Sequence, residues 1–485
     1  MAQVKGGEVS LRIYDTMSRT KKEFTPVKPG AAGVYCCGMT VQDKPHVGHV
    51  FSAIVGDTIR RYLERKGLDV TYVYNFTDVD DKIITRAREE NRDWRDIAEE
   101  NIQAYISVAS MLNIMPATHY PKATEHIAEI IDLVRTLEER GYAYQGGSDV
   151  YFEVGKCRGY GKLSGRKIDE LRAGARIEVG EQKQNPLDFA LWKGAKEGEP
   201  SWESPWGKGR PGWHIECSAM SMKYIGQTLD IHCGGQDLIF PHHENEIAQS
   251  ECATGRTFVR NWVHNGFVNL SGEKMSKSTK HFYLAENLCR EFDPEAIRFY
   301  LLSTHYRSPI EFGKERLEEA AAALGRLRNS IRLALAAEAK LSDPAKSGRV
   351  KDAELEDAMR KASVCFDEAM DDDFNSARAT ACLFDLSKRI NLALEGDQPG
   401  PATVAAAASA ARELMSLGGV LGLTWKGLEV EEEVPAEIVE LVERREEARR
   451  NKDWAEADEL RAAISERGFV LEDRPDGTQV RRKGS

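Results

Sequence analysis

The sequence predicts an α/β fold: a split, Rossmann-like domain of parallel strands with an inserted connective region, then an α-helical bundle and a small C-terminal α+β unit. Three observations predict it. A strand, helix, strand unit occupies residues 33–78, a second strand and helix resume at Gln227, and the chain beyond Phe312 becomes rich in alanine and leucine at helical spacing.

GVYCCGMTV (33–41) is an apolar run that suits a buried strand. VFSAIVGDTIRRYLERKG follows with helical spacing and a stopping glycine, Gly67, and LDVTYVYNFTD (68–78) supplies the next strand. Such a crossover belongs to a parallel sheet, whose ligands gather beyond the carboxyl ends of the strands. HVGH (46–49) falls there. From about Pro121 the chain carries many turn residues, as in WKGAKEGEPSWESPWGKGRPG, and reads as an insertion or linker rather than sheet core. QTLDIHCGGQDLIF (227–240) restores the sheet pattern, and PHHENEIAQSECA opens a helix with Pro241 suited to its first turn. ERLEEAAAALGRLRNSIRLALAAEAKL and NSARATACLFDLSKRINLALEG predict a bundle, with GDQPGPATVAAAASAA as a joint or an alanine-rich helix start. The last unit reads as a charged helix followed by a hairpin turning at PDG.

Composition bounds the function. Of 485 residues, 41% are hydrophobic and 30% charged, which excludes a disordered chain. No apolar run is long enough to span a bilayer and Met1–Ser10 lacks a signal peptide's apolar stretch, so the expectation is a cytoplasmic protein with no membrane partner. Nine cysteines, scattered over the whole length, do not form a disulfide framework; reduced thiols or metal ligands are expected. The net charge of −11 argues against one broad nucleic-acid face while permitting local basic patches.

In HVGH two imidazoles flank Gly48 just before a helix, where backbone N–H groups and the helix dipole favour a phosphate and the missing β-carbon lets a flat base approach. SGEKMSKST (271–279) has neither helical nor strand periodicity, so Lys274 and Lys277 read as loop residues. A third group concerns metal. Cys37 ends the first strand, Cys217 stands in GWHIECSAM, and His242 and Glu246 lie four apart on one helical face; all are ligand types that zinc accepts. By residue type alone, Cys36, Cys233, His232 and His243 are equally eligible.

HVGH and KMSKS together resemble the two signature motifs of class I aminoacyl-tRNA synthetases, with Val47 where isoleucine is usual. WHIECSAM, DIHCGGQDL and FPHHENEIAQS are similar to cysteinyl-tRNA synthetases, and the likeness extends through MDDDFNSARA to the terminal KDWAEADELR. The resemblance implies one zinc ion per chain on Cys37, Cys217, His242 and Glu246, and ATP, with Mg2+, at His46, Gly48, His49 and Asp237. It implies that Lys274 and Lys277 place charge on the α-phosphate and departing pyrophosphate, and that Thr77, Trp213 and His232 line the cysteine pocket. It further implies that Arg449, Trp454, Asp458 and Asp473 read the anticodon of tRNA(Cys). Two departures are Cys233, where a glycine is frequent, and Val480, where an aromatic is common.

The implied activity is cysteine–tRNA ligation by a monomer: cysteine is activated with ATP, then transferred to the terminal ribose. Zinc suits this substrate because an apolar pocket separates a thiol from a hydroxyl poorly. The substrate thiolate would add as a fifth ligand or displace one. The expected divisions are 1–120 and 203–256 for the halves of the catalytic domain, 121–202 for the insertion, 257–318 for the lysine loop and a stem-contact region, 319–425 for the bundle and 426–485 for the anticodon unit. Alternatives are a ligase of the mycothiol type, which joins cysteine to an amino sugar and lacks a full anticodon domain, and a noncatalytic RNA-binding paralogue, which should have lost its motif residues.

Overall fold

The computed structural model describes residues 10–167, 182–270, 284–341, 352–395, 399–428, 435–451, 453–474 and 477–482. The chain forms two compact units, Met1–Trp425 and Lys426–Ser485. The core of the first is a four-stranded parallel sheet of β3 (Ala31–Cys36), β4 (Asp69–Tyr74), β9 (Leu229–Gly235) and β10 (Val259–Asn265), in spatial order β10-β9-β3-β4. An edge hairpin, β1 (Arg12–Asp15) with β2 (Thr20–Glu23), precedes it. Helix α1 (Val47–Arg65) crosses from β3 to β4 and buries Val50, Phe51, Ile54, Ile59 and Leu63 at helical spacing. Because β3 runs on to β4 on one side while β9 runs on to β10 on the other, the order reverses between β3 and β9. A ligand crevice opens beyond the carboxyl ends at such a point.

Between the halves come α2 (Asp81–Glu90), α3 (Trp94–Met111) and α4 (Ile127–Glu139), then a four-stranded antiparallel sheet of β5 (Ala143–Gly146), β6 (Asp149–Phe152), β7 (Phe189–Gly194) and β8 (Gly209–Pro211). The sequence reading expected an irregular insertion here. Its turn residues do occupy turns, but Val150, Phe152, Leu191, Trp192 and Trp206 close a core of their own against α4. Strands of three to six residues among glycines were too short to read as a sheet. Helix α5 (Trp213–Tyr224) leads back to β9. Pro241 also departs from expectation. It lies in a π-helical turn, Ile239–His243, and the α-helix α6 (Glu244–Thr254) begins after it.

A short parallel pair, β11 (Val268–Leu270) and β12 (Ile310–Phe312), follows the sheet. After α7 (Ala285–Glu291) and α8 (Pro294–Leu302), the bundle consists of α9 (Lys314–Ala339), α10 (Ala353–Asp371), α11 (Ser376–Leu394) and α12 (Pro401–Val420). The alanine-rich stretch is thus a helix, started by Pro401 in its first turn. Cys365 and Cys382 face each other across α10 and α11 with Cα atoms 6.1 Å apart and are disulfide-bonded, which corrects the expectation that the thiols outside a metal site are all reduced. Spacing along the chain carried no sign of that pairing, which helix packing creates. The terminal unit packs α13 (Ala436–Arg450) and α14 (Trp454–Glu466) around Ile438, Val442 and Ile464, with the antiparallel hairpin β13 (Phe469–Arg474) and β14 (Gly477–Arg482). Among the described residues no helix is long and apolar enough to cross a membrane.

One buried cation ties the sheet domain to the bundle. Arg298, fully buried on α8, pairs with Asp57 of α1 and donates to the carbonyls of Leu112 and Asn113 after α3 and of Leu421 after α12. Gly422 has φ +76°, and a β-carbon there would lie 2.2 Å from the Arg298 guanidinium carbon, so the chain turns where only glycine leaves room. Removing one member of a buried pair strands the other. Arg298→Met should therefore destabilise the first unit by about 3–5 kcal/mol in urea unfolding, with Arg298→Lys recovering only part; a loss below about 1 kcal/mol would contradict this role.

Candidate active site and metal centre

The carboxyl end of β3 delivers Cys37, whose N–H donates to the Cys233 carbonyl of β9 at 3.0 Å and so carries the sheet ladder one residue further. Cys217 comes from the second turn of α5, and His242 and Glu246 flank the junction between the π turn and α6. Cys37 Sγ lies 3.7 Å from Cys217 Sγ and 3.5 Å from Glu246 Oε1, and His242 Nε2 lies 3.1 Å from the same oxygen. One ligand atom from each of the four falls within 4.8 Å of every other. All four residues are buried, Glu246 completely.

A second group shares Cys37 and Glu246 but takes His232 and His243 instead. The orienting contacts favour the first. His214 Nδ1 bonds His242 Nδ1 at 3.0 Å, leaving His242 Nε2 directed at Glu246, the usual arrangement behind a metal-binding imidazole. His232 Nε2 bonds Glu246 Oε2 at 2.9 Å from behind, which leaves Oε1 facing Cys37 and His242. His243 is likewise turned through Nδ1 to His264 at 2.8 Å, and His264 to the Thr16 hydroxyl at 2.8 Å, but its Nε2 lies 3.9 Å from Glu246 Oε1 against 3.1 Å for His242. Cys36 and Cys233, eligible by type, pair in register within the sheet and join neither group; burial pushes the Cys36 thiol up to about 12 and raises that of Cys233.

The cluster is poised for a cation. The thiol of Cys37 donating to it brings Cys217 down to about 6, while burial keeps Cys37 itself protonated. Although burial opposes ionisation of both, His232 and His242 hold Glu246 down to about 2, and hydrogen bonds to Cys217 and Glu246 hold His242 up to about 10. Two sulfurs, one imidazole and one carboxylate in a dry pocket match what zinc takes in closed sites, and burying that much negative charge without a cation costs several kcal/mol per ion.

Cys37 also lines a cavity of about 870 Å3, shared with His46, Gly48, His49, Trp213 and Asp237. The HVGH turn is a reciprocal cap on α1: Gly48 N–H donates to His46 Nδ1 at 3.1 Å, and His46 N–H donates to His49 Nδ1 at 3.3 Å. Both imidazoles therefore keep Nε2–H to offer. Burial lowers His46, and burial with the neighbouring His46 ring takes His49 down to about 3, so the stacked rings, 3.7 Å apart, are neutral donors near neutral pH. A β-carbon at Gly48 would stand 3.0 Å from the His46 ring and disturb that cap. Trp213 is 37% exposed although its ring lies only 4.3 Å from that of His242, which leaves an uncovered aromatic face in the cavity beside the cluster.

Thr77 and His232 stand one layer behind the cavity wall. The Thr77 hydroxyl donates to Glu216 Oε2 at 2.9 Å, and His232 braces Glu246. Glu216 and His214 were missed by the sequence reading: they flank known candidates in WHIEC, but no periodicity separates a bracing residue from a core one. Lys274 and Lys277 lie outside the described residues. In the terminal unit Arg449 closes α13, Trp454 opens α14 at 60% exposure, and Asp458 is exposed one turn on. Ala457, Leu460 and Ile464 anchor α14 instead, so Trp454 is not its core residue. Asp473 sits on β13 opposite Thr478.

Residues 23–322 match the model of the tRNA synthetases class I (C) catalytic domain, 365–425 the DALR domain, and 431–481 the cysteinyl-tRNA ligase anticodon binding domain. The chain is 50% identical to the cysteine–tRNA ligase of Heliobacterium modesticaldum over 479 residues, covering 97% of this chain and 99% of that protein. It is 49% identical to that of Geobacillus thermodenitrificans over 476 residues, covering 98% and 99%. The solved Mycobacterium tuberculosis methionyl-tRNA synthetase in complex with methionyl-adenylate superposes with a TM-score of 0.63 at 16% identity, over 81% of this chain and 90% of that one, which is a likeness of fold.

The bracing contacts separate the two ligand groups experimentally. In zinc titrations against a competing chelator, Cys217→Ser should weaken binding at least tenfold and His214→Ala by about 10–100-fold, with His243→Ala within a few-fold of wild type. The reverse order would place the ion with His232 and His243.

Proposed function

The chain belongs to the cysteine–tRNA ligase family, and from that premise we propose how its residues divide the work of activating cysteine with ATP and charging tRNA(Cys). The observation that carries the reading is that Cys37 belongs at once to the buried donor cluster and to the cavity walled by HVGH. A zinc ion held by Cys37, Cys217, His242 and Glu246 would supply a borderline-soft Lewis acid that prefers a thiolate to a hydroxyl. Trp213 covers the side chain of the amino acid with its open face. Asp237, on the turn after β9, contacts the nucleotide ribose or the amino group in this reading.

The Nε2–H groups of His46 and His49 and the free N–H groups at the start of α1 hold the triphosphate. A cysteine carboxylate oxygen then attacks the α-phosphorus and pyrophosphate departs, its charge met by Lys274 and Lys277; Mg2+ bound with ATP would supply further positive charge. In the second step a hydroxyl of the terminal ribose attacks the carbonyl carbon and AMP leaves. No side-chain nucleophile takes part; positioning and fixed electrostatics lower both barriers. In the terminal unit Trp454 offers a stacking face to a splayed anticodon base, and Arg449, Asp458 and Asp473 read base edges. The anticodon-domain match over residues 431–481 weighs against the amino-sugar ligase alternative, and the retained motif residues weigh against a noncatalytic paralogue. The monomeric state and a place in the cytoplasm belong to the same proposal.

Two measurements test it. Metal-replete protein should catalyse exchange of pyrophosphate into ATP with cysteine and far less with serine, and Lys277→Ala should slow that exchange about a hundredfold or more; exchange without amino-acid preference would overturn the assignment. Trp454→Ala should lower aminoacylation about tenfold, the loss of one stacked base, while leaving exchange unchanged. Equal damage to both steps would instead make Trp454 structural.

A further inference from the structure

A second cavity, of about 390 Å3, opens beside α6 on a face that does not include Glu246. Glu244, Ala248, Glu251, Cys252 and Gly255 line it at helical spacing, and the segment from Lys156 to Lys162 closes it from the insertion. Two sulfurs meet there. Cys157 ends the 3-10 turn Val154–Lys156, Cys252 lies near the end of α6, and Cys252 S–H donates to Cys157 Sγ across 3.1 Å. Both thiols are free, in contrast to Cys365 and Cys382. Closing a disulfide would require the sulfurs to approach by about 1 Å.

The pair is chemically unequal. The hydrogen bond from Cys252, aided by Lys162 and opposed by burial and by Glu244 and Glu251, lowers the Cys157 thiol, whereas donating that bond raises Cys252. One sulfur is thus prepared to attack and the other to resolve. Lys162 pairs with Glu251 and Lys156 with Glu153, so Arg158 and Arg256 carry the positive charge at the cavity that favours a ligand bearing carboxylates.

We propose that Cys157 and Cys252 form an exchange site for small carboxylate-bearing disulfides, closing an intrachain disulfide between the insertion and α6. The Cys157 thiolate attacks one sulfur of the disulfide RSSR, forming a mixed disulfide and releasing RS−. Deprotonated Cys252 then attacks the Cys157 sulfur and releases the second RS−. The two protein thiols are oxidised, RSSR is reduced to two RSH, and the protons lost by the protein end on the released thiols. Cys252 is six residues from Glu246, about 9 Å along the helix. The new bond would tie the helix that carries a cluster ligand to the insertion, which already holds it through Tyr160 donating to Asn245 at 2.6 Å and Ser164 N–H donating to Glu244 at 2.8 Å. None of this depends on the ligase reading, because thiol mapping needs no catalysis.

The test uses the full chain under anaerobic conditions with glutathione disulfide as probe, followed by alkylation and peptide mass spectrometry. Wild-type protein should lose two alkylatable thiols and yield a linked peptide joining Cys157 to Cys252, faster than Cys289 is modified. Cys252→Ser should stop at a glutathione adduct on Cys157. Relative to a free cysteine peptide, glutathione disulfide should react at least threefold faster than the cationic disulfide cystamine. Full alkylation of both cysteines in the wild-type protein, or oxidation no faster than at Cys289, would overturn the site whatever the variant does; a normalised ratio of one or less would overturn its preference for carboxylates.

Discussion

Two thiols, an imidazole and a carboxylate are buried together at the end of a parallel sheet, and the negative charge on Glu246 and Cys217 needs positive charge beside it. Much of the first unit is arranged to keep those groups there. Glu246 is gripped from behind by His232, His242 is turned by His214, and Cys37 is fixed by the ladder bond of its own N–H to β9. Each contact removes a freedom that an approaching cation would otherwise have to freeze out.

Sheet topology then decides what the cluster sits beside. The reversal of strand order between β3 and β9 opens a crevice into which Cys37 projects from one strand end and Asp237 from the turn beyond the other. Helix α1 starts immediately after β3, so the N–H groups that its first turn leaves unpaired belong to the same cavity. The donor cluster and the unpaired N–H groups of α1 are adjacent because both are consequences of one crossover.

Legibility in the sequence followed the range of the interactions. Strand, helix, strand at 33–78 was readable because burial imposes a period on neighbouring residues, and HVGH was readable as the turn before a helix because a helix start is local. Residue type narrowed the metal ligands without choosing among Cys36, Cys37, Cys217 and Cys233; only the fold separates sulfurs that face the crevice from those that pair within the sheet. The insertion's sheet was missed because its strands are short and its core aromatic residues are spaced by turns. The Cys365–Cys382 bond, the bracing roles of His214 and Glu216, and the Arg298 node all join residues far apart in sequence, where no local pattern exists to be read.

The neutrality of His46 and His49 has a physical reason. Stacked rings 3.7 Å apart could not both carry protons without strong repulsion, and a protonated Nδ1 on His46 could no longer accept from Gly48 N–H, which would undo the cap that orients the turn. Burial keeps them uncharged and leaves them as directional donors. Full positive charge in the cavity wall comes instead from ammonium groups such as Lys44 and Lys82, which are long, rotatable and hydrated. The uncharged rings thus supply donors fixed in direction along Nε2–H, and the two lysines add charge to the same wall without that fixed direction.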